Sequence, residues 1–223
     1  MTICTLRVCA VVLEIAIWLI AQPACATNLD IDPVAQQTPE WCWAATSEMV
    51  LSYYGYPNLN PGGDYQCGVV GAQGGICSAN CAMCLNGGGT TQRIALVIRL
   101  YTIVAAQLTG YTNSHFHPVA HGVLSPQQIV ASIDNDAPVL AGITPNGIPF
   151  PPGLGISQHA VLIVGYEGDA KALNIILNDP YPYSGVIPPY IQVGGKLLQS
   201  GQYEIPYQIL VTMFHYGNSI TFD

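Results

Sequence analysis

A lone thiol, Cys42, stands in the stretch Gln36-Gln37-Thr38-Pro39-Glu40-Trp41-Cys42-Trp43-Ala44-Ala45, which reads as the opening of a helix. Thr38 can cap, Pro39 suits the first helical position, and Glu40 favours the positive end of the helix dipole. A thiol in the first turn of such a helix meets unpaired amides and the dipole, and both stabilise a thiolate. A free cysteine is otherwise a small core residue. Here the capped start and the glutamines upstream favour a nucleophile. A thiolate nucleophile requires a general base within hydrogen-bond reach, and that base requires an orienting group. Of the five histidines, His159 is the best placed, at the start of an apolar β-branched run that follows a Gly/Pro-rich loop. Asp179 closes the next such run, just before Pro180. Taken singly, His159 reads as a core histidine and Asp179 as a turn residue. Taken with Cys42, they read as base and orienting acid. Acyl transfer also needs donors for a developing oxyanion. The backbone amide of Cys42 is one, and the side-chain amide of Gln36 or Gln37 is the other candidate.

The elements that must position these groups follow from pattern and punctuation. Residues 41–54 carry a single charge, Glu48, and stop at Gly55 and Pro57, which predicts a buried helix. Residues 58–89 are rich in Gly and Asn, hold four clustered cysteines and read as a loop in need of a staple. Ile94, Val97, Ile98, Tyr101 and Val104 keep helical spacing across residues 91–108. Ser125-Pro126 opens a further helix that runs to about Asn135. A short strand over 138–143 and a Pro/Gly-rich loop over 144–157 precede a β-hairpin, 158–166 and 172–178. A hairpin that begins with His159 and ends with Asp179 brings both to one edge of a sheet. The tail, 203–223, holds a short helix and a last strand. Helices first and antiparallel strands second make an α+β plan, a helical half packed against a sheet half.

The N-terminal residues read as a signal peptide cut after Ala26: Arg7, an apolar run over 8–20, and Ala24-Cys25-Ala26. Residues 27–223 then form one domain with room for a sizeable core. The chain carries 5 Lys+Arg against 13 Asp+Glu, a net charge of -8, with 8% charged residues. Past the leader the basic residues are Arg93, Arg99, Lys171 and Lys196, which argues against nucleic acid or an anionic membrane as partner. Five cysteines lie beyond residue 26. Cys67, Cys77, Cys81 and Cys84 cluster, and Cys42 stands apart. An exported chain pairs the four as two disulfides, with structural zinc as the other reading, and leaves Cys42 free. His115, His117 and His121 have metal-like spacing, but Pro118 and Gly122 interrupt them and no acid lies among them. They read as exposed loop histidines.

The Gln-x5-Cys-Trp motif, the later His159-Ala160-Val161 and Asn178-Asp179-Pro180 resemble the papain-like cysteine peptidases. The likeness is greatest to the compact bacterial branch typified by staphopains and avirulence-type effector proteases, where Trp-Cys-Trp-Ala-Ala surrounds the nucleophile. The resemblance implies a papain-like fold with Cys42 as nucleophile, His159 as base, Asp179 as orienting acid and Gln36, six residues before Cys42, as oxyanion donor. Asp179 departs from papain itself, which uses Asn there. The plant and lysosomal Cys-Gly-Ser/Ala-Cys-Trp/Tyr signature is absent. The expectation is a secreted peptidase, extracellular or periplasmic, that hydrolyses protein or peptide substrates through a thioacyl-enzyme. It would work as a monomer without metal or cofactor. Deamidation or transamidation would use the same groups. A catalytically inactive cysteine-rich binding module is the alternative from another class.

Overall fold

The computed structural model describes residues 27–85, 88–145 and 158–222. The expected signal peptide and all but the first two residues of the 144–157 loop lie outside them. The centre of the molecule is made by two apolar runs that pair antiparallel. Strand β3 (Val139–Ile143) lies against β4 (His159–Glu167), with Ile143 opposite His159 and Val139 opposite Ile163. Every residue of β4 except Glu167 is buried, as its unbroken apolar run requires. On the far side β4 pairs with β5 (Asn174–Asn178), which forms the expected hairpin. The short β1 (Thr27–Asn28) also docks on β4, where a Cβ on Gly165 would lie 2.5 Å from the Thr27 carbonyl. Glycine is what allows that approach. Four further strands complete an antiparallel sheet: β2 (Pro118–His121), β6 (Lys196–Gln199), β7 (Gln202–Pro206) and β8 (Asn218–Phe222). Their order across the sheet is β2-β8-β3-β4-β5-β7-β6.

The helical half comes first in the chain. Helix α1 (Cys42–Tyr53) packs its buried residues, Trp43, Met49, Val50 and Leu51 among them, into the common core with β4. Short helices α2 (Tyr65–Gly71) and α3 (Ile76–Ala79) and a 3-10 turn (Cys81–Met83) follow. They are tied by the disulfides Cys67–Cys81 and Cys77–Cys84, so the cysteine cluster is the pair of disulfides expected of an oxidised chain. Helix α4 (Thr91–Thr109) is capped by Thr90, whose hydroxyl accepts from the Arg93 amide, and ends at Gly110 in the left-handed region. Its buried stripe runs Ile94, Val97, Ile98, Tyr101, Ala105, with Val104 only half-buried. Helix α5 (Pro126–Asp134) starts with a Ser125–Gln128 capping box. Short α6 (Pro189–Gln192) and α7 (Tyr207–Thr212) flank β6 and β7. This is the helical half on an antiparallel sheet half that the sequence predicts.

Three local expectations are corrected. Thr38 does not cap α1. The Trp41 amide donates to its carbonyl at 3.2 Å, and the helix opens at Cys42 with Trp41 as the flanking residue. The Gln36 amide nitrogen takes the carbonyls of Thr38 and Pro39, both at 2.9 Å, so helical bonding starts one turn later, from Ala45 N–H to the Trp41 carbonyl. Residues 58–89 are not a plain loop, since the disulfides let three very short helical turns persist. The stretch read as a histidine loop ends in β2, an edge strand whose first residue, Pro118, needs no ladder hydrogen bond.

Candidate active site

Cys42 is the first residue of α1 and the one free cysteine among the described residues, half-buried at the helix mouth. His159 opens β4 and is 2% exposed, and Asp179, one residue beyond β5, is equally covered. Because β4 and β5 run antiparallel with Leu162 opposite Asn178, the start of one and the end of the other meet. His159 Nε2 and Asp179 Oδ1 lie 2.7 Å apart. The other edge of the imidazole interacts electrostatically with Cys42. Thiol, imidazole and carboxylate thus stand in one row across the helix–sheet junction. Cys42 and His159 line an open cleft of about 630 Å³ whose walls include Glu40, Trp43, Ile94 and Leu140.

The electrostatics of the row are set by burial and pairing. Burial alone would depress the basicity of His159. The charge of Asp179, then that of Cys42, outweighs it and pushes the imidazole up to about 10. Asp179 moves the opposite way. Burial would raise it, but the charge and hydrogen bond of His159, the Tyr181 amide and the Tyr183 hydroxyl hold the carboxyl below its ordinary range. Its oxygens accept four donors: His159 Nε2 and the Tyr181 amide on Oδ1, each at 2.7 Å, and the hydroxyls of Tyr183 (2.7 Å) and Tyr190 (2.8 Å) on Oδ2.

Gln36 is buried beside the row, and its backbone N–H donates to the Pro180 carbonyl, next to Asp179. Its side-chain nitrogen spends both hydrogens on the Thr38 and Pro39 carbonyls, its Oε1 is buried without a hydrogen-bond partner, and it does not line the cleft. The Gln37 amide donates to Gln66 Oε1, 3.0 Å away. His121, read from sequence as a loop residue, also lines the cleft, with Nε2 3.0 Å from the Thr221 hydroxyl. Among the described residues no group of His, Cys, Asp or Glu is arranged to hold a metal ion. The sequence reading missed Tyr183 and Tyr190. For Tyr183 the signal was the run Asp179-Pro180-Tyr181-Pro182-Tyr183, whose aromatic density exceeds what a turn needs; Tyr190 left none.

A free thiol at a helix mouth, with an imidazole–carboxylate pair on a facing sheet, is the arrangement of a cysteine-type peptidase. The chain belongs to the Peptidase_C39 like family, whose profile matches residues 28–191. Among solved structures, one from Bacillus anthracis described as a C39-like peptidase shares the fold with a TM-score of 0.50 and 13% identity, over 88% of this chain and 97% of that one. The digestive procathepsins L2 and L3 of Tenebrio molitor larval midgut give TM-scores of 0.49 and 0.47 at 15% and 13% identity. They cover 92% and 90% of this chain and 69% and 70% of theirs. No curated protein matches the chain.

Proposed function

We propose that the protein is an exported cysteine peptidase that hydrolyses peptide bonds with Cys42 as nucleophile, His159 as general base and acid, and Asp179 as orienting carboxylate. The observation that carries this reading is the unbroken row Cys42–His159–Asp179 at the edge of the cleft. Cys42 Sγ attacks the scissile carbonyl carbon while its proton resides on His159, whose raised basicity suits it to hold that proton. The carbonyl oxygen becomes an oxyanion at the helix mouth, facing the Cys42 backbone amide. Gln36 supplies the second donor by exchanging the Thr38 or Pro39 carbonyl for the oxyanion once substrate is bound. The intermediate collapses, the C–N bond breaks, and His159 gives its proton to the leaving amine. Water, deprotonated by His159, then attacks the thioester. The C–S bond breaks, the acid product leaves, and the proton returns to the Cys42–His159 pair. Throughout, Asp179 keeps the imidazole in one tautomer and orientation.

Export is supported by the leader-like N-terminus and by two disulfides, which persist in oxidising compartments. No described helix is long and apolar enough to cross a membrane. The test is hydrolysis of an unstructured protein such as casein, with products read by mass spectrometry. Wild type should yield new N-termini, and Cys42→Ala should yield none while melting at the wild-type temperature. One-dalton shifts without cleavage would replace hydrolysis by deamidation. Activity retained in Cys42→Ala would end the reading.

A further inference from the structure

Asp179 raises a physical problem that the row solves only in part, through the His159 imidazolium on Oδ1. An ionised carboxylate that is almost fully buried needs several strong partners, and usually a cation. The titratable groups that face Asp179 and His159 are Cys42 from α1, Tyr181 and Tyr183 from the segment after β5, Tyr190 from α6 and Tyr203 from β7. No Lys or Arg is among them. Beyond the His159 imidazolium on Oδ1, the site offers two phenols on the other oxygen, Oδ2. Other tyrosines of this protein end on backbone carbonyls: Tyr65 on Tyr56, Tyr101 on Pro57, Tyr207 on Leu124. Tyr166 donates to a carboxylate, Asp134 Oδ1 at 2.7 Å, but as a single phenol. Tyr183 and Tyr190 come from two different segments and converge on Asp179 Oδ2.

Both rings are wedged before they donate. Tyr190 is fully buried, stacked on Phe214 at 4.8 Å and tilted on Tyr203 at 4.7 Å. Tyr183 packs on Tyr181 at 5.0 Å and edge-on to Tyr203 at 6.3 Å. The Tyr181 ring stands edge-on to the His159 imidazole at 6.5 Å. Rings held in this way place their hydroxyls without further ordering cost. Burial, then the neighbouring carboxylate, lifts both phenols well above their ordinary range, so they remain donors at any working pH.

We propose that Tyr183 and Tyr190 are positioning residues of the hydrolytic site: they keep Asp179 an ionised acceptor in its buried pocket and so hold His159 against Cys42. This rests on the Cys42–His159–Asp179 reading above. The two hydroxyls are the reason a carboxylate can stand where papain has an amide. Without them the desolvated carboxyl binds a proton at higher pH, Oδ1 loses its pull on Nε2–H, and the imidazole is released from its orientation.

The experiment uses the whole exported chain with Cys42 reduced and follows the rate of Cys42 alkylation by iodoacetamide, together with casein cleavage, against pH. Tyr183→Phe and Tyr190→Phe keep the rings and remove only the donors. Each single variant should move the acid limb of both profiles upward by about half a pH unit, and the double variant by about one unit or more. At a fixed pH on the limb those shifts are about threefold and tenfold losses. In an Asp179→Asn background the same substitutions should leave the limb in place, because no carboxyl remains to titrate. A purely structural role would lower the melting temperature and scale the rate without moving the limb. That result, in the double variant or, if it does not fold, in both singles, overturns the proposal. A limb that moves equally in the Asp179→Asn background also overturns it. Failure of the underlying triad has a different mark: His159→Ala would then alkylate at the wild-type rate.

Discussion

Removing the Cys77–Cys84 disulfide should damage the nucleophile more than it damages the fold. The Trp41 indole N–H, buried beside Cys42 in sequence, donates to the Cys84 carbonyl at 3.1 Å. That carbonyl is held by a disulfide whose partners are 7 residues apart, whereas Cys67–Cys81 spans 14. Loop-closure entropy assigns about 2.5 kcal/mol to the shorter loop and about 3 kcal/mol to the longer. Stability alone therefore ranks Cys67–Cys81 first. If the Cys84 carbonyl drifts, Trp41 is left with a buried donor worth about 1–3 kcal/mol, and the helix mouth shifts to satisfy it. Expressed at the approach of His159 to Cys42, the upper half of that range is a slowing of about thirtyfold or more. The comparison is Cys77→Ala/Cys84→Ala against Cys67→Ala/Cys81→Ala, each with Cys42 as its free thiol. Melting temperature and the iodoacetamide rate at Cys42 are measured on both. The expected orders are opposite: the longer disulfide costs more melting temperature, the shorter one more rate. If rate loss simply tracks melting temperature across the two variants, Trp41 does not transmit the disulfide to the nucleophile and the reasoning fails.

Asp179→Ala strands the donors of His159, Tyr181, Tyr183 and Tyr190. It should cost about 3–5 kcal/mol by denaturant unfolding and lower casein hydrolysis less than Cys42→Ala does. Wild-type-like stability would mean that the four donors find other acceptors. Gln36→Ala should reduce kcat by about 10²–10³ if the amide turns to the oxyanion, whereas a tenfold or smaller loss would confine Gln36 to bracing the Thr38–Pro39 turn. Stability against pH should show a plateau bounded by the buried pair. The folded value of His159, about 10, lies above its ordinary 6.5, so its contribution is complete below 6.5 and is lost as pH climbs through 10. Asp179 is depressed from 3.8, so its contribution is complete above that value and is lost as pH falls through the lower folded one. Thermal melts between pH 3 and 10 should therefore be highest between about pH 4 and 6.5 relative to His159→Ala, and a flat difference would contradict the pairing.

His159 and Asp179 were legible because a hairpin couples sequence distance to spatial distance. Two buried runs with a tight turn at Glu167-Gly168-Asp169 leave little freedom in where their outer ends lie. Cys42 was legible for a simpler reason: an odd cysteine in a chain that otherwise pairs them needs another explanation. The helix start was not, because Thr38 and Pro39 carry a cap's chemistry while their carbonyls are claimed by Gln36, a contact no local propensity encodes. Strands β6 and β7 flank Ser200-Gly201, a turn signal, but Lys196-Leu197-Leu198-Gln199 is wholly exposed and lacks the alternation that marks a half-buried strand. Tyr190 was invisible for the most general reason. Its partner, Asp179, is reached only after α6 folds back over the end of β5, and side chains that meet through tertiary packing leave no periodic trace.

Two redox demands of opposite sign meet in this chain, and the fold separates them by packing. The proposed chemistry needs Cys42 as a thiol, while Cys67–Cys81 and Cys77–Cys84 must stay oxidised to hold the segment that anchors Trp41. A reactive thiolate close to a disulfide is normally at risk of exchange, since attack needs only access to a sulfur along the bond axis. Cys84, the cysteine whose carbonyl meets Trp41, is 7% exposed, and the Trp41 ring that joins the two regions is itself buried. The indole fixes the helix mouth to the stapled segment through its N–H. Cys42 instead opens onto the cleft. The two demands therefore fall in different surroundings: Cys42 lines the cleft, while Cys84 is covered by the core.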